Sequence, residues 1–101
     1  MHALTSSQRK YLRAAAHHLA PLIIVGKHGL TDALVRAAGE ALEDHELIKV
    51  RFNDFKDRKR ELSEEIARRT GAHIVGALGH VFILYRQHPE ADKRTVALPD
   101  A

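Results

Sequence analysis

The sequence predicts a small α/β (α+β) domain in the element order αβαβαββ, with a four-stranded mixed sheet against packed helices. Three observations predict it. Apolar residues recur at three- and four-residue steps in three segments, which marks amphipathic helices. Short β-branched or alternating runs lie between and after those segments and read as strands. A Gly79-His80 pair between the last two runs reads as a hairpin turn. With 101 residues and no linker, repeat or low-complexity tract, the chain is expected to form one domain over residues 3–99.

The first helix opens with Thr5-Ser6-Ser7-Gln8, a capping box. Leu12, Ala15, Ala16 and Leu19 fall on one side of it; Arg9, Lys10, Arg13 and His17 gather on the other, as a solvated face or a binding stripe. The acid-free segment 1–19 invites comparison with a transit peptide, but it runs into Pro21 and an apolar strand without a cleavable spacer. Leu22-Ile23-Ile24-Val25 is expected to be a strand covered on both faces. Thr31 is the expected N-cap of a second helix reaching about His45, with Leu30, Leu34, Ala38, Ala41 and Leu42 on its core side. Acids crowd its last two turns, where they oppose the helix dipole; an acidic far end would repel nucleic acid and orient the domain.

Leu47 to Phe52 alternates, with Ile48, Val50 and Phe52 facing one way and Lys49 and Arg51 the other. The polar, basic connection Asn53 to Arg60 follows, with Asp57 as candidate cap of a third helix that buries Leu62, Ile66 and Ala67 and stops at Gly71. Phe55 within it has two readings, a core residue or a base-stacking surface. His73 to Leu78 and Val81 to Arg86 are the last strands, joined by a type II′ turn. The two strand–helix–strand units imply parallel, right-handed crossovers. The tail from Gln87 is expected to be loose, with Val96-Ala97-Leu98-Pro99 as a candidate edge segment.

The chain has no cysteine, which excludes disulfides and thiolate metal sites and suits the cytoplasm. No apolar run approaches the ~20 residues of a membrane span. The net charge of +3 conceals strong segregation. Residues 1–31 carry +4 (Arg9, Lys10, Arg13, Lys27), and residues 32–46 carry −4 (Arg36 against Asp32, Glu40, Glu43, Asp44 and Glu46). Residues 47–60 return to +4 through six bases and two acids. One face can therefore be strongly basic on a nearly balanced molecule.

The chain is organised around Gly26-Lys27-His28-Gly29, between the first strand and the second helix. Two glycines let the backbone turn and approach a ligand closely, holding Lys27 and His28 at the tip. The amides of the helix capped by Thr31 point at the same place, so the loop suits an anion such as phosphate. It lacks the third glycine of a dinucleotide fingerprint and the Gly-Lys-Ser/Thr of a Walker loop.

Gln8-Arg9-Lys10-Tyr11-Leu12-Arg13, Ala20 through Thr31, His45-Glu46-Leu47-Ile48-Lys49-Val50, Leu78-Gly79, Leu84-Tyr85-Arg86 and Leu98-Pro99, in this order, resemble the YhbY-type RNA-binding family. That family is also called the chloroplast RNA splicing and ribosome maturation domain. The resemblance implies a fold similar to the C-terminal domain of translation initiation factor three. It also implies that the glycine-bracketed loop contacts RNA in the manner of a KH loop, although here the loop follows a strand, and that the target is ribosomal RNA or a precursor large subunit. Ala20 departs from the family, where Lys often precedes the proline; the basic connection Lys56 to Arg60 is a candidate replacement.

The expected function is non-catalytic RNA binding by a monomer. Gly26, Lys27, His28, Gly29 and Thr31 would form the centre of the site, Arg9, Lys10 and Arg13 an extension along the first helix, and Lys49 and Arg51 a second area. Two Tyr and three Phe are too few for a stacking platform of the RRM type. Eight histidines prompt a metalloprotein or hydrolase reading, but His17 and His18 are adjacent and should diverge, and His73 and His80 have no evident acid partner. No cofactor or metal is expected. A protein-binding adaptor on the ribosome or in RNA processing is the alternative.

Overall fold

The computed structural model describes residues 3–100, so the first two residues of segment 1–19 lie outside it. Its elements are α1 (Ser6–Ala15), a 3₁₀ turn (Ala16–His18), β1 (Ile23–Val25), α2 (Asp32–His45), β2 (Leu47–Phe52), a 3₁₀ turn (Lys56–Arg58), α3 (Lys59–Thr70), β3 (His73–Leu78), β4 (Val81–Tyr85) and a last 3₁₀ turn (Ala91–Lys93). The helices and strands follow the expected order. Thr5 and Gln8 form the capping box, and Thr31 caps α2.

β1 and β2 pair in parallel, Ile23 opposite Val50 and Val25 opposite Phe52, joined by the crossover through α2. β4 lies antiparallel to β2 on one side and to β3 on the other, giving the order β1-β2-β4-β3. β2 and β3 therefore run in the same direction without touching, because the two-residue turn folds β4 back into the gap between them.

Each face of the sheet has its own core. α2 and α3 bury Ala38, Leu42, Ile66 and Ala67 against Ile23, Val25, Ile48, Val50, Phe52, Phe82 and Leu84. On the other face, Leu12 and Ala16 of α1 meet Leu47, Val75, Ile83 and Tyr85, and Leu4, Val96 and Leu98 close the rim. Phe55 packs against the first core, which settles its role as a core residue.

Several expectations are corrected. β1 is covered on one face only: it is an edge strand, and α1 lies over β3, leaving Leu22 and Ile24 exposed on the uncovered side. Ala15 and Leu19 are exposed for the same reason. Asp57 does not cap α3. It lies within the 3₁₀ turn, Arg58 takes the cap position without a side-chain cap bond, and the Arg58 guanidinium pairs with Glu61 at 2.9 Å.

The acids at the end of α2 now have a structural reason. Glu43 accepts from Arg86 at 3.3 Å and lies 3.2 Å from Nε2 of the buried His88. Arg86 also donates to the carbonyls of Thr70 (2.7 Å) and Gly39 (3.0 Å), fastening the two helices to the end of β4.

Glu46 was not legible as a structural residue. It is fully buried at φ +63°, a conformation that is costly for a residue with a Cβ. Its carboxylate accepts from the amides of His88 (2.6 Å), Thr95 (2.6 Å) and Val96 (2.9 Å). The tail is thus neither loose nor paired as a strand; it is wrapped around one buried anion, and Gln8 donates to the Pro99 carbonyl at 2.7 Å. Burial pushes the Glu46 carboxyl up, but the His88, Val96 and Thr95 amides and the Thr95 hydroxyl outweigh it, holding it below its ordinary 4.5.

A carboxyl depressed on folding stabilises the protein above its unfolded value and loses that contribution as pH falls through the folded value. Glu46→Gln should therefore cost about 3 kcal/mol at neutral pH, since an amide group would face backbone donors. The variant should also flatten the acid limb of the stability curve below pH 4.5. Chemical denaturation across pH checks both, and an unchanged curve would contradict the role given to Glu46.

Candidate nucleic-acid interface

The Gly29 amide donates to the Gly26 carbonyl at 3.0 Å, closing a β-turn with Lys27 and His28 exposed at its two central positions. The two glycines differ in what the fold asks of them. Gly29 has φ +67°, a left-handed conformation that calls for glycine, and a Cβ there would rest in contact with the Phe55 ring at 3.4 Å. Gly26 has no such conformation, and a Cβ would meet nothing within 4 Å. Its bare backbone opens onto free space. At the start of α2, Thr31 Oγ1 accepts the Leu34 amide at 3.0 Å. Asp32 already brings a carboxylate to this first turn, drawn toward Arg69 at 3.0 Å, so the helix end is less receptive to an anion than the sequence implied.

Backbone hydrogen bonds bring other segments beside this turn. The Val25 carbonyl, one residue before Gly26, accepts the amides of Asn53 (3.0 Å) and Asp54 (3.2 Å). The Phe52 amide donates to the His80 carbonyl at 2.8 Å, and Lys59 Nζ reaches the Gly79 carbonyl at 2.8 Å and His80 Nδ1 at 3.2 Å. The glycine turn, the basic connection, the start of α3 and the β3–β4 hairpin therefore meet at the carboxyl ends of the parallel strands, where open α/β sheets place ligands. His80 senses this concentration of charge. Loss of hydration first, then the charges of Lys59 and Lys56, hold it below its ordinary 6.5.

The expected basic residues divide by what they already hold. Arg9 Nη1 donates to the Ile74 carbonyl at 2.7 Å and Arg13 Nη1 to the Val75 carbonyl at 3.1 Å. Both carbonyls lie on edge strand β3 at its register shift between Ile74 and Gly76. Gly76 admits the Arg13 stem, since a Cβ there would lie 2.6 Å from Arg13 Cδ. These two guanidiniums brace the sheet rather than stand free along α1. Lys10 is exposed on the same helix, and Lys49 reaches the His17 carbonyl at 3.5 Å. Among the described residues Lys27, Arg51, Lys56 and Arg60 pair with no carboxylate, and all four lie at the carboxyl end; Arg60 rests over the Phe82 ring at 5.7 Å. From the sequence alone, Lys56 and Arg60 belong only to a basic connection. The parallel pairing of β1 and β2 was the signal that placed them beside the turn.

Among the described residues the histidines form no cluster larger than a pair. His17 and His18, expected to diverge, meet edge to face at 5.3 Å within the 3₁₀ turn. Among the described residues no group of three His, Asp or Glu side chains could hold a metal ion, and no helix is long and apolar enough to cross a membrane.

The sequence profile of the CRS1/YhbY (CRM) domain matches residues 4–86. The chain is 34% identical over 97 residues to the probable RNA-binding protein YqeI of Bacillus subtilis, covering 95% of this chain and 99% of that one. It is 37% identical over 92 residues to a protein of Haemophilus influenzae named RNA-binding protein, covering 90% and 93%. The solution structure of SAV1595 from Staphylococcus aureus superposes with a TM-score of 0.78 at 34% identity, covering 96% of this chain and all of that one. With a profile match over residues 4–86 and relatives above 30% identical along nearly their whole length, the chain belongs to the CRS1/YhbY (CRM) domain family.

Proposed function

We propose that this protein binds RNA without transforming it, at the carboxyl end of the parallel strands, with Gly26–Gly29 against the sugar-phosphate backbone. The observation that carries the reading is Gly26, a glycine the fold does not require, opening onto space beside Lys27 and His28. Lys27, Arg51, Lys56 and Arg60 supply charge that no carboxylate of the described residues neutralises. Lys10 and Lys49 extend the basic surface, while Arg9 and Arg13 hold β3 in position beneath it. The names of the relatives support RNA as the ligand. The family resemblance supports ribosomal RNA of the assembling large subunit as the target, and the cytoplasm as the place.

A second reading rests on a different surface. Tyr11, Leu19, Leu22 and Ile24 leave large apolar area exposed along α1 and the β1 edge, as an adaptor for another protein would. Capture of a protein partner that survives ribonuclease treatment would favour it.

Gly26→Asp should leave the thermal melt nearly unchanged while lowering affinity for structured ribosomal RNA at least about tenfold, through a carboxylate placed against phosphate. Gly29→Ala should instead cost about 1–2 kcal/mol of stability, because it forces a Cβ into a left-handed conformation. A folded Gly26→Asp variant that binds like wild type would overturn the site. If roughly four phosphates are neutralised, affinity should fall about a hundredfold between ~50 and ~200 mM salt. A flat salt response in a binding titration would contradict the electrostatic reading.

A further inference from the structure

Between α1 and the hairpin end of the sheet lies a groove of about 400 Å³, within the usual range for a small-ligand site. Its lining joins the apolar side chains of Leu78, Val81 and Ile83 to Arg13, Lys49 and Arg51. Leu78 is 83% exposed, the most exposed large apolar side chain among the described residues. No carboxylate lines the groove. Position links it to the glycine turn. Arg51 stands opposite Ile24, so Gly26 lies one strand over (~4.8 Å) and two residues along (~6.6 Å).

We propose that this groove receives one unpaired base of the RNA strand whose backbone crosses the Gly26–Gly29 turn. The inference rests on the RNA-binding reading above and adds to it the chemistry of a second contact. An apolar lining beside cations fits an occupant that is flat and weakly polar on its faces and anionic at its edge, which describes a nucleotide. An acidic peptide would match the cations and leave Leu78 uncovered, and an apolar peptide would leave Arg51 unmatched, since of the three only Arg13 and Lys49 already donate, to the Val75 and His17 carbonyls. The Arg51 guanidinium provides a plane on which a base can stack, so the site needs no aromatic ring. A duplex keeps its bases stacked inward and cannot fill the groove, so the site selects unpaired RNA.

The test uses three RNAs of roughly ten nucleotides, a length typical of single-strand sites: a single-stranded oligouridylate, the same backbone with abasic positions throughout, and a duplex. Wild-type protein should bind the oligouridylate about tenfold more tightly than the abasic strand, near the low end of base-stacking contributions. Leu78→Ser, at an exposed position, should keep the wild-type melt and remove that preference while leaving duplex binding unchanged. Val81→Ser should act in the same direction. Equal binding of oligouridylate and abasic strand by wild type, or a preference undiminished in folded Leu78→Ser, would overturn the base-binding groove and leave the phosphate contact standing. Failure of wild type to bind any of the three at low salt would overturn both readings.

Discussion

Parallel pairing of β1 with β2 sends both strands out of the sheet at the same end, and each must then turn into a helix there. Val25 enforces the junction, because its carbonyl accepts two amides from the segment that follows β2. The β3–β4 hairpin closes at that end too, since β4 runs antiparallel to β2 with Val81 opposite Arg51. Three connections separated by long stretches of chain are thereby crowded together. Charge spread along the sequence becomes concentrated in space as a consequence of strand direction alone.

Within that concentration the cations divide by chemistry. A guanidinium that already donates to a carbonyl, as Arg9 and Arg13 do, would have to give up or share a structural contact to meet phosphate. Arg86 likewise holds α2 and α3 to the sheet. Lys27, Arg51 and Lys56 have no such obligation among the described residues and are exposed. Sequence counts both kinds as positive charge, and only the acceptors around each one separate them. Glu46 makes the same point with opposite sign. In the sequence it is one acid among five in its segment; in the fold it is the acceptor around which the tail winds.

The fold was legible because the local signals agreed with one another. Thr5 and Thr31 cap where their hydroxyls predict, Gly71 ends α3 in a left-handed conformation, and the alternation of β2 sets its inner and outer faces. What was misread depended on partners distant in sequence. The uncovered face of β1 reflects where α1 packs, and the missing cap at Asp57 reflects the 3₁₀ turn imposed by the tucked-in Phe55. At the glycine turn the spacing was legible but the division of labour was not. The left-handed backbone of Gly29, against the ordinary backbone and open space at Gly26, distinguishes a glycine needed for folding from one free for contact.

Backbone amide resonances followed as RNA is added would reveal whether the proposed contact lies where the parallel strands end. The largest shifts should fall at Lys27, His28, Arg51 and Lys56, with the tail wrapped on Glu46 nearly silent. Shifts centred on Tyr11, Leu19 and Leu22, with the glycine turn unmoved, would contradict it.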